Sequence, residues 1–548
     1  MKVYQALANA FEAEGATDVF GMTGEANIYV LSELEKRGSR MYQVRHEGAG
    51  LAMADGWARM TGRPGVVTTT GGPGCAQLST TMLVASRART PLVAFCGDTP
   101  WGDDEHTEHI DQERFAATCE AGFVRITSPE VTYASVQKAF YKARLESRPV
   151  LLSMPVDVNQ GIVDDDEEYV PSEALLHNEP VAPNPDAVRR AAELVAAAGN
   201  PVIVVGRGAM RSGAGDQVLR LAERTGAIVA TSLMAKNWLG DYAYHVGISG
   251  LFATRTAIEL FGESDCVISI GASMNRYTTE HGYLFPSATF VQFDSAQHIV
   301  MGDGRAADTY VHADATLGLD ALLAELGDGA NTGYHTPEVL DRISRNLDDP
   351  KEYTVPPGRI DPREAVRVLD RTVPANIGMV LGGGQQNHFG IMLADNQRSW
   401  LLPNLHFGCI GQGLTTAMGA SIAKGNHPAF LMEGDAGLMM HLAEFETAVR
   451  YRVPVMVAVF NDEGYAAEYH HYRYNDVNID VTAIPTPDLG AVGVALGGRG
   501  ALVRTPAELE KAAAEFSANP GPMIIDVRIA RDVASIPNRR RYYGEGDQ

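Results

Sequence analysis

The chain has few cysteines and no long apolar run, and these two deficits exclude several classes of protein. Five cysteines are scattered among 548 residues and never form a C-x-x-C pair, so the sequence predicts reduced thiols and neither a disulfide framework nor a zinc knuckle. No window approaches about 18 uninterrupted apolar residues, so no membrane span is expected. The N-terminal stretch alternates charged with apolar residues and lacks a signal-peptide core. We therefore expect a cytoplasmic protein.

Basic residues are also in deficit. The chain has 45 Lys and Arg against 68 Asp and Glu, which gives a formal net charge of −23. Nucleic-acid grooves and surfaces that bind anionic membranes need an excess of basic side chains, so we expect neither partner. What the chain does have is 45% hydrophobic residues, enough for large cores. This composition is typical of an acidic soluble enzyme that acts on small molecules.

Short apolar, β-branched runs alternate with helix-period stretches along the whole chain. Examples are RPGVVTTT, NPVIVVGRG and PVMVAVFND. That alternation is typical of α/β folds with parallel sheets. Two polar, proline-bearing breaks, at 163–186 and 326–362, interrupt it. We predict three doubly wound α/β domains, and their bounds are 1–165, 183–330 and 358–530, with a tail at 531–548.

Glycine-rich turns and a pair of carboxylates follow several predicted strands. The segments GGPG (71–74), GGGQQN (382–387) and HFGCIGQG (406–413) either bring backbone N–H groups to phosphate oxygens or simply close strand–helix junctions. Asp435 and Asp462 bracket a strand–helix–strand unit, and the two ends of such a unit meet at one edge of a parallel sheet. Because Mg²⁺ takes oxygen ligands and often shares a site with phosphates, the pattern predicts a magnesium site at this edge.

Together these motifs resemble the thiamine-diphosphate enzymes of the pyruvate decarboxylase and acetolactate synthase family. RHEGAG (45–50) is similar to the family segment with the activating glutamate, and GGPG to its S-G-P-G turn. GGGQQ is similar to its diphosphate loop and GCIGQG to the loop under the thiazolium. GDA (434–436) with ND (461–462) resembles its metal motif. The resemblance extends over nearly the whole chain and implies thiamine diphosphate and Mg²⁺ as cofactors.

The resemblance also implies roles for individual residues. Glu47 would hydrogen-bond the aminopyrimidine ring and so help to remove the thiazolium proton. Asp435, Asp462 and the Gly464 carbonyl would bind Mg²⁺. The family commonly has Asn where Asp462 stands, so Asn461 is the alternative ligand. The other cofactor-binding residues implied by the motifs are Gly72, Gly74, Gly384, Gln385, Gly434, Ala436, Gly437, Tyr465 and Ile410, the last as the apolar wedge that bends the cofactor.

Two alignments within the family disagree about the reaction. In the first, Glu25 and Glu468 match the two active-site acids of pyruvate decarboxylases, and His106 and His109 match their histidine pair. That set favours non-oxidative decarboxylation of a 2-oxo acid with release of an aldehyde, which is our main expectation. In the second, Gln112 matches the F-Q-E segment of acetolactate synthases. Those enzymes condense the enamine that remains after loss of CO₂ with a second oxo acid. Cleavage or hydrolysis of a 1,2-diketone is a third alternative.

The acids and histidines also have purely structural interpretations. Glu25 could cap the helix that begins at IYVLSELEK, and Glu468 could pair with Arg473. The two histidines could belong to a solvated acidic loop. These interpretations stay open beside the catalytic ones.

The middle segment carries GRGAM (206–210) and SMNRY (273–277) in the domain that holds FAD in acetolactate synthases. GRGAM lacks the full G-x-G-x-x-G fingerprint, so we favour a central domain without FAD and keep bound FAD as the alternative. The resemblance further implies that Glu47 and the diphosphate site come from different chains. A homodimer or homotetramer with active sites at the subunit interface is therefore expected.

Overall fold

The computed structural model describes residues 1–164, 168–177, 179–298, 300, 305–345, 349–475 and 477–543. It contains three six-stranded sheets in which all strand pairs are parallel and helices flank the strands. The predicted α/β class of doubly wound sheets is confirmed. Over the described ranges, no helix has the length and apolar character needed to cross a bilayer.

The first sheet lies within residues 18–155, and its strands β3, β4 and β6 are buried along their whole length, as expected where helices cover both faces. The strands are β1 (Asp18–Gly21), β2 (Arg40–Gln43), β3 (Gly65–Thr69), β4 (Leu92–Asp98), β5 (Gly122–Arg125) and β6 (Pro149–Pro155), in the order β2-β1-β3-β4-β6-β5. The helices are α1 (Val3–Ala13), α2 (Ile28–Lys36), α3 (Glu47–Thr61), α4 (Gly72–Ala76), α5 (Ser79–Ala88), α6 (Gln112–Thr118) and α7 (Thr132–Glu146).

The central sheet lies within residues 201–312 and has its own apolar core. Its strands are β7 (Pro201–Val205), β8 (Ile228–Thr231), β9 (His245–Ile248), β10 (Cys266–Ile270), β11 (Thr289–Asp294) and β12 (Thr309–His312), in the order β12-β11-β10-β7-β8-β9. Its helices are α8 (Pro185–Ala197), α9 (Arg207–Ser212), α10 (Gly215–Thr225), α11 (Arg255–Gly262), α12 (Ala315–Leu326) and α13 (Pro337–Ser344).

The third sheet lies within residues 378–528, and its middle strands β15 and β16 consist almost wholly of buried residues. The strands are β13 (Gly378–Leu381), β14 (Leu401–Pro403), β15 (Ala429–Gly434), β16 (Val455–Asn461), β17 (Arg499–Val503) and β18 (Met523–Arg528), in the order β14-β13-β15-β16-β18-β17. The helices are α14 (Pro362–Thr372), α15 (Gln386–Leu393), α16 (Gly413–Ala423), α17 (Asp435–Met440), α18 (Glu444–Tyr451), α19 (Ala466–Tyr474), α20 (Leu489–Ala495), α21 (Pro506–Ala518) and, in the tail, α22 (Ile536–Asn538).

The described chain divides into two compact units. One unit comprises Met1–His177, Val355–Gly390 and Arg398–Arg531, and so contains both the first and the third sheet. The other comprises the described parts of Asn178–Thr354, Ile391–Gln397 and Asp532–Gln548, and contains the central sheet. The predicted tail at 531–548 therefore belongs mostly to the central unit. There Arg539 donates hydrogen bonds to both carboxylate oxygens of Asp349, at 2.9 and 2.8 Å, and residues 544–548 lie outside the described ranges.

Within the first unit, helices α3 and α16 cross in backbone contact. A Cβ on Gly56 would overlap the carbonyl oxygen of Thr416, and a Cβ on Gly419 would overlap that of Met53. Only glycine permits so close an approach. Both helices are buried along most of their length, which explains the many small, apolar residues in their sequences. This crossing joins the first sheet to the third.

Candidate active site

Three turns meet at the carboxyl edge of the third sheet. We call them the GGG loop (382–387), the GCIG loop (406–413) and the GDAG loop (434–437). A Cβ on Gly383 would overlap the carbonyl oxygen of Cys409, so the GGG and GCIG loops touch through their backbones. The ring nitrogen Nδ1 of His441 lies 2.8 Å from the carbonyl oxygen of Gly411. That contact joins the GCIG loop to the end of α17, the helix that the GDAG loop begins.

These three loops contain most of the residues predicted to bind the cofactor. Gly384 has a φ of +116°, which favours glycine, and Gln385 beside it is buried. The Nε2 group of Gln386 donates to the carbonyl oxygen of Gly383 at 2.6 Å and so closes the GGG loop. Tyr465 lies elsewhere, exposed just before α19. The remaining predicted residues in the loops are Ile410, Gly434, Ala436 and Gly437.

Two buried carboxylates lie at the ends of adjacent strands. Asp435 follows β15 and Asp462 follows β16; they are 2% and 6% exposed, and an Oδ2 atom of each has no hydrogen-bond partner among the described residues. Burial and repulsion by Asp462 raise the pKa of Asp435 to about 7. Burial raises the pKa of Asp462 to about 6, and Arg531 opposes that rise. A divalent cation would satisfy such unpaired buried oxygens, so both residues fit the predicted magnesium site.

Asn461, the alternative ligand, is engaged in other bonds. Its Nδ2 group donates to Thr486 Oγ1 and Asp526 Oδ1, both at 2.9 Å, and its Oδ1 accepts the backbone N–H of Glu463 at 3.1 Å. These bonds shape the turn that carries Asp462, and they favour Asp462 as the ligand. No cluster of three or more His, Cys, Asp or Glu suited to a metal occurs in the part of the chain that the structure covers. A cation here would thus also need backbone or phosphate oxygens, such as the predicted Gly464 carbonyl.

The extra negative charge of Asp462 has a counter-charge nearby. The Nε atom of Arg531 lies 3.5 Å from Asp462 Oδ2 and donates to the carbonyl oxygen of Asp462 at 3.0 Å. Arg531 therefore both offsets the charge and holds the backbone of the turn. Sequence reasoning missed it because it lies far along the chain, after the last strand of the sheet.

Glu47 lies at the carboxyl edge of the first sheet, as the first residue of α3. A Cβ on Gly74 would lie 3.4 Å from Glu47 Oε1, so this carboxylate is beside the GGPG turn that contains Gly72 and Gly74. The helix N-cap is His46, whose Nδ1 accepts the backbone N–H of Gly48 at 3.0 Å. Glutamate at the first helical position also suits the helix dipole. The structure thus brings Glu47 and the predicted GGPG turn together.

Glu108 lies beside this turn, and sequence reasoning missed it. A Cβ on Gly71 would lie 3.7 Å from Glu108 Oε2, and a Cβ on Gly72 would overlap the backbone of Glu108. A second carboxylate is therefore near the same turn as Glu47. Its only sequence signal is its place in DDEHTEH, where neighbouring acids give it the character of a solvated loop.

His106, His109 and Gln112, the residues predicted near Glu108 in sequence, have local partners. The backbone N–H of Glu108 donates to His106 Nδ1 at 3.2 Å, and His109 Nδ1 lies 3.4 Å from Thr99 Oγ1. Gln112 is fully buried, and its Nε2 donates to the carbonyl oxygen of Gly97 at 2.7 Å. The catalytic role of Gln112 stays a prediction. A Cβ on Gly71 would lie 3.4 Å from the same carbonyl oxygen of Gly97, so Gln112 is near the GGPG turn, and its Oε1 has no hydrogen-bond partner among the described residues.

Glu25 and Glu468 are both exposed in this chain. Glu25 does not cap α2, since the N-cap is Asn27, whose Oδ1 accepts the N–H of Gly24 at 2.8 Å. Glu468 lies in the first turn of α19. Arg473, its suggested partner, donates to Tyr469 Oη at 3.2 Å.

In the central unit, the GRGAM turn packs against the end of β10. The backbone N–H of Gly208 donates to the carbonyl oxygen of Gly271 at 3.0 Å, and a Cβ on Gly206 would overlap that same oxygen. This N–H is therefore not free to bind a phosphate. The expectation of a central domain without FAD stays a prediction.

Comparison with known proteins agrees with this geometry. Three profiles of thiamine pyrophosphate enzymes match in order: the N-terminal TPP binding domain at residues 1–117, the central domain at 188–322 and the C-terminal TPP binding domain at 383–527. The chain is 27% identical to a probable acetolactate synthase large subunit of Methanocaldococcus jannaschii, over 96% of this chain and 92% of that one.

Two further relatives show the breadth of the similarity. An acetolactate synthase large subunit of Parasynechococcus marenigrum is 29% identical, over 96% of this chain and 87% of its own length. A sulfoacetaldehyde acetyltransferase of Alcaligenes xylosoxydans xylosoxydans is 27% identical, over 85% and 81%. With all three domains matched in order and the cofactor motifs gathered at the sheet edges, the chain belongs to the thiamine-diphosphate-dependent enzymes of the pyruvate decarboxylase and acetolactate synthase family.

Proposed function

We propose that this enzyme is a carboligase of the acetolactate synthase type, which removes CO₂ from a 2-oxo acid and joins the remaining acyl unit to a second carbonyl compound. The observation that carries the proposal is similarity to acetolactate synthases over 96% of the chain. This proposal replaces the aldehyde-releasing decarboxylase that the first alignment favoured. A second candidate is acyl transfer to another acceptor, which the similarity to a sulfoacetaldehyde acetyltransferase favours.

The chain's own residues have distinct tasks in the proposed reaction. Thiamine diphosphate, when bound, supplies a carbon nucleophile and an electron sink. Asp435 and Asp462 would hold Mg²⁺, and the N–H groups of the GGG loop would bind the diphosphate. Glu47 would share a proton with the aminopyrimidine ring. Glu108, near the same turn, would orient the substrate or exchange a proton with it.

We further propose that the complete site forms between two copies of the chain in a dimer or a dimer of dimers. The family resemblance supports this arrangement, since it assigns Glu47 and the diphosphate site to different chains. Within one chain, the backbone N–H of His46, the residue before Glu47, donates to Glu444 at the start of α18, so each chain would present Glu47 in a fixed position.

The reaction is tested by incubating the purified protein with Mg²⁺, thiamine diphosphate and a panel of 2-oxo acids, each alone and with a second oxo acid or an aldehyde. CO₂ release and product identity are followed by NMR. We expect CO₂ together with a ligated hydroxy-oxo product. Free aldehyde equal to the CO₂ released would refute carboligation. D435A, assayed in parallel, shows which turnover depends on the metal site.

A further inference from the structure

Glu433 is a buried carboxyl group between the three loops of the third sheet. It is the penultimate residue of β15 and is 1% exposed. Its Oε1 accepts the backbone N–H of Gly434 at 3.1 Å, and the backbone N–H of Gly413 is close enough to oppose the rise of its pKa. Its Oε2 has no hydrogen-bond partner among the described residues. Neither the motif analysis nor the proposed reaction gives this side chain a role.

Three glycines, one from each loop, surround this carboxyl. A Cβ on Gly382 in the GGG loop, on Gly413 in the GCIG loop or on Gly437 in the GDAG loop would come within 3.0 Å of carboxyl atoms of Glu433. Real Cβ atoms do not tolerate such separations, so a larger residue at any of these three positions would displace either its loop or the carboxyl of Glu433. The carboxyl therefore occupies the volume against which all three loops pack.

Burying a carboxyl group in this volume is energetically unfavourable. Burial raises the pKa of Glu433 to about 8, and a buried oxygen without a partner is unfavourable. The two residues that precede it in the strand, Leu431 and Met432, are apolar and fully buried. A leucine or methionine at position 433 would fill the space without this penalty, but it could not accept the N–H of Gly434. The carboxyl adds this bond to the GDAG loop and a polar group close to the other two loops.

We propose that Glu433 is a positioning residue of the cofactor site: its carboxyl holds the GGG, GCIG and GDAG loops at the spacing at which they bind the diphosphate and its metal. The inference rests on the proposed function only in that thiamine diphosphate with Mg²⁺ is the ligand. The carboxyl of Glu433 contacts the loops, and the loops would contact the ligand.

The first test measures binding of Mg²⁺–thiamine diphosphate to E433Q and E433A by titration calorimetry, with the melting temperature of the cofactor-free protein as a second readout. The amide of E433Q has nearly the same shape and still accepts N–H groups, so we expect its Kd within about threefold of wild type. E433A lacks both features, and we expect its Kd to rise about 10- to 100-fold, as when an outer-shell partner is lost. If E433A does not fold, E433D serves instead, with an intermediate loss expected.

A double-mutant cycle separates positioning from a general packing defect. The atoms that a Cβ on Gly382 would meet are all carboxyl atoms of Glu433. G382A alone should therefore weaken binding, whereas G382A in the E433A background should cause little further loss, because the colliding atoms are gone. G493A is the matched control: its Cβ would contact Arg499 and Ile524 instead, so its effect should add independently to that of E433A.

Equal affinity of E433A and wild type, or simple additivity of G382A and E433A, would overturn the inference while leaving the proposed function intact. If the unsubstituted protein failed to bind Mg²⁺–thiamine diphosphate, the proposed function and this inference would both fall. The two failures are therefore distinguishable in one series of titrations.

Discussion

The carboxylate of Glu444 accepts the backbone N–H of His46 at 2.9 Å, so a helix of the third sheet holds the residue that precedes Glu47. The same oxygen accepts the N–H of Arg45 at 2.8 Å, and Thr447 Oγ1 donates to the other oxygen at 2.7 Å. Glu444 is buried. The start of α3, and with it the position of Glu47, depends on this single carboxylate.

Replacement of Glu444 should therefore reduce turnover more than cofactor affinity. E444A leaves two backbone N–H groups without their acceptor and lets the start of α3 move, so we expect kcat to fall about 10- to 100-fold, as for a small displacement of a catalytic group. E444Q retains an acceptor oxygen and should lose far less. The control is E446A, which removes an exposed ion pair with Arg45 and should leave kcat nearly unchanged. Equal losses in E444A and E446A would contradict the assigned role.

Glu47→Gln should retain the fold and the cofactor but lose most activity. The amide has the shape of the carboxyl but cannot exchange a proton with the aminopyrimidine ring, so we expect kcat to fall by about 10²-fold or more. Steady-state kinetics, together with calorimetric titration of the cofactor, measures both quantities. A kcat within about threefold of wild type would remove Glu47 from the mechanism.

The metal site gives a prediction that separates Asp462 from Asn461. D435A and D462A each remove a buried oxygen pair, so cofactor binding should require much more Mg²⁺. N461A removes the bonds to Thr486 and Asp526, and we expect lower thermal stability with a smaller change in Mg²⁺ dependence. Binding titrations over a range of Mg²⁺ concentrations distinguish these outcomes. The assignment of Asp462 fails if the Mg²⁺ dependence shifts in N461A and not in D462A.

The raised pKa values of Asp435 and Asp462, about 7 and about 6, make the stability of the cofactor-free protein depend on pH. A raised carboxyl pKa means that the folded state favours the protonated form, so this contribution is present in acid and is lost as pH rises from about 4 to 7. In EDTA, the melting temperature of D435N should therefore exceed that of wild type at pH 8, and the difference should vanish near pH 4.

The same groups predict how Mg²⁺ stabilises the protein. The ion binds ionised carboxylates and must displace their protons in acid, so the rise in melting temperature on adding Mg²⁺ and thiamine diphosphate should be larger at pH 8 than at pH 5.5. A rise independent of pH would show that these two carboxyls do not exchange protons for the metal.

The proposed shared site predicts complementation between two inactive variants. In a dimer formed from E47Q and D435A, one of the two sites combines an intact Glu47 with an intact Asp435. Mixing the variants under conditions that allow subunits to exchange should therefore restore activity, toward a quarter of the wild-type value for statistical mixing. A mixture of E47Q with E47A is the control and should stay inactive. Exchange confirmed by mass photometry without recovered activity would contradict a site built from two chains.

The α/β class could be predicted from the sequence because buried parallel strands appear as short apolar runs, such as MVAVF in β16. The loops at 382–387, 406–413 and 434–437 could also be predicted, because glycine and aspartate directly after a strand are unusual and indicate a loop that binds a ligand. The apolar runs and the glycine-containing turns are both formed by residues that are close together in the sequence. Asp435 and Asp462 were found in this way, and the structure places them on adjacent strands.

The residues that sequence reasoning missed act across long separations in the chain. Arg531 contacts Asp462 from beyond β18, Glu444 holds His46 from another sheet, and Glu433 shows its role only when the glycines of three loops are seen around it. None of these relationships has a fixed spacing in sequence. The sequence marks Gln112 only by its match to a family motif, and the structure adds that its side chain donates to the carbonyl oxygen of Gly97 near the end of β4.

The crossing of α3 and α16 also has a consequence for how the newly made protein folds. Gly56 and Thr416, which meet at that crossing, are 360 residues apart (416 − 56). At roughly 5–20 residues per second, a ribosome adds them about 18 to 72 s apart. For most of that interval α3 has been synthesised but α16, the helix that covers it, has not. The nascent chain must therefore keep an apolar helix shielded, by transient contacts or by a chaperone, until its last third emerges, and that interval is when the protein is most prone to aggregate.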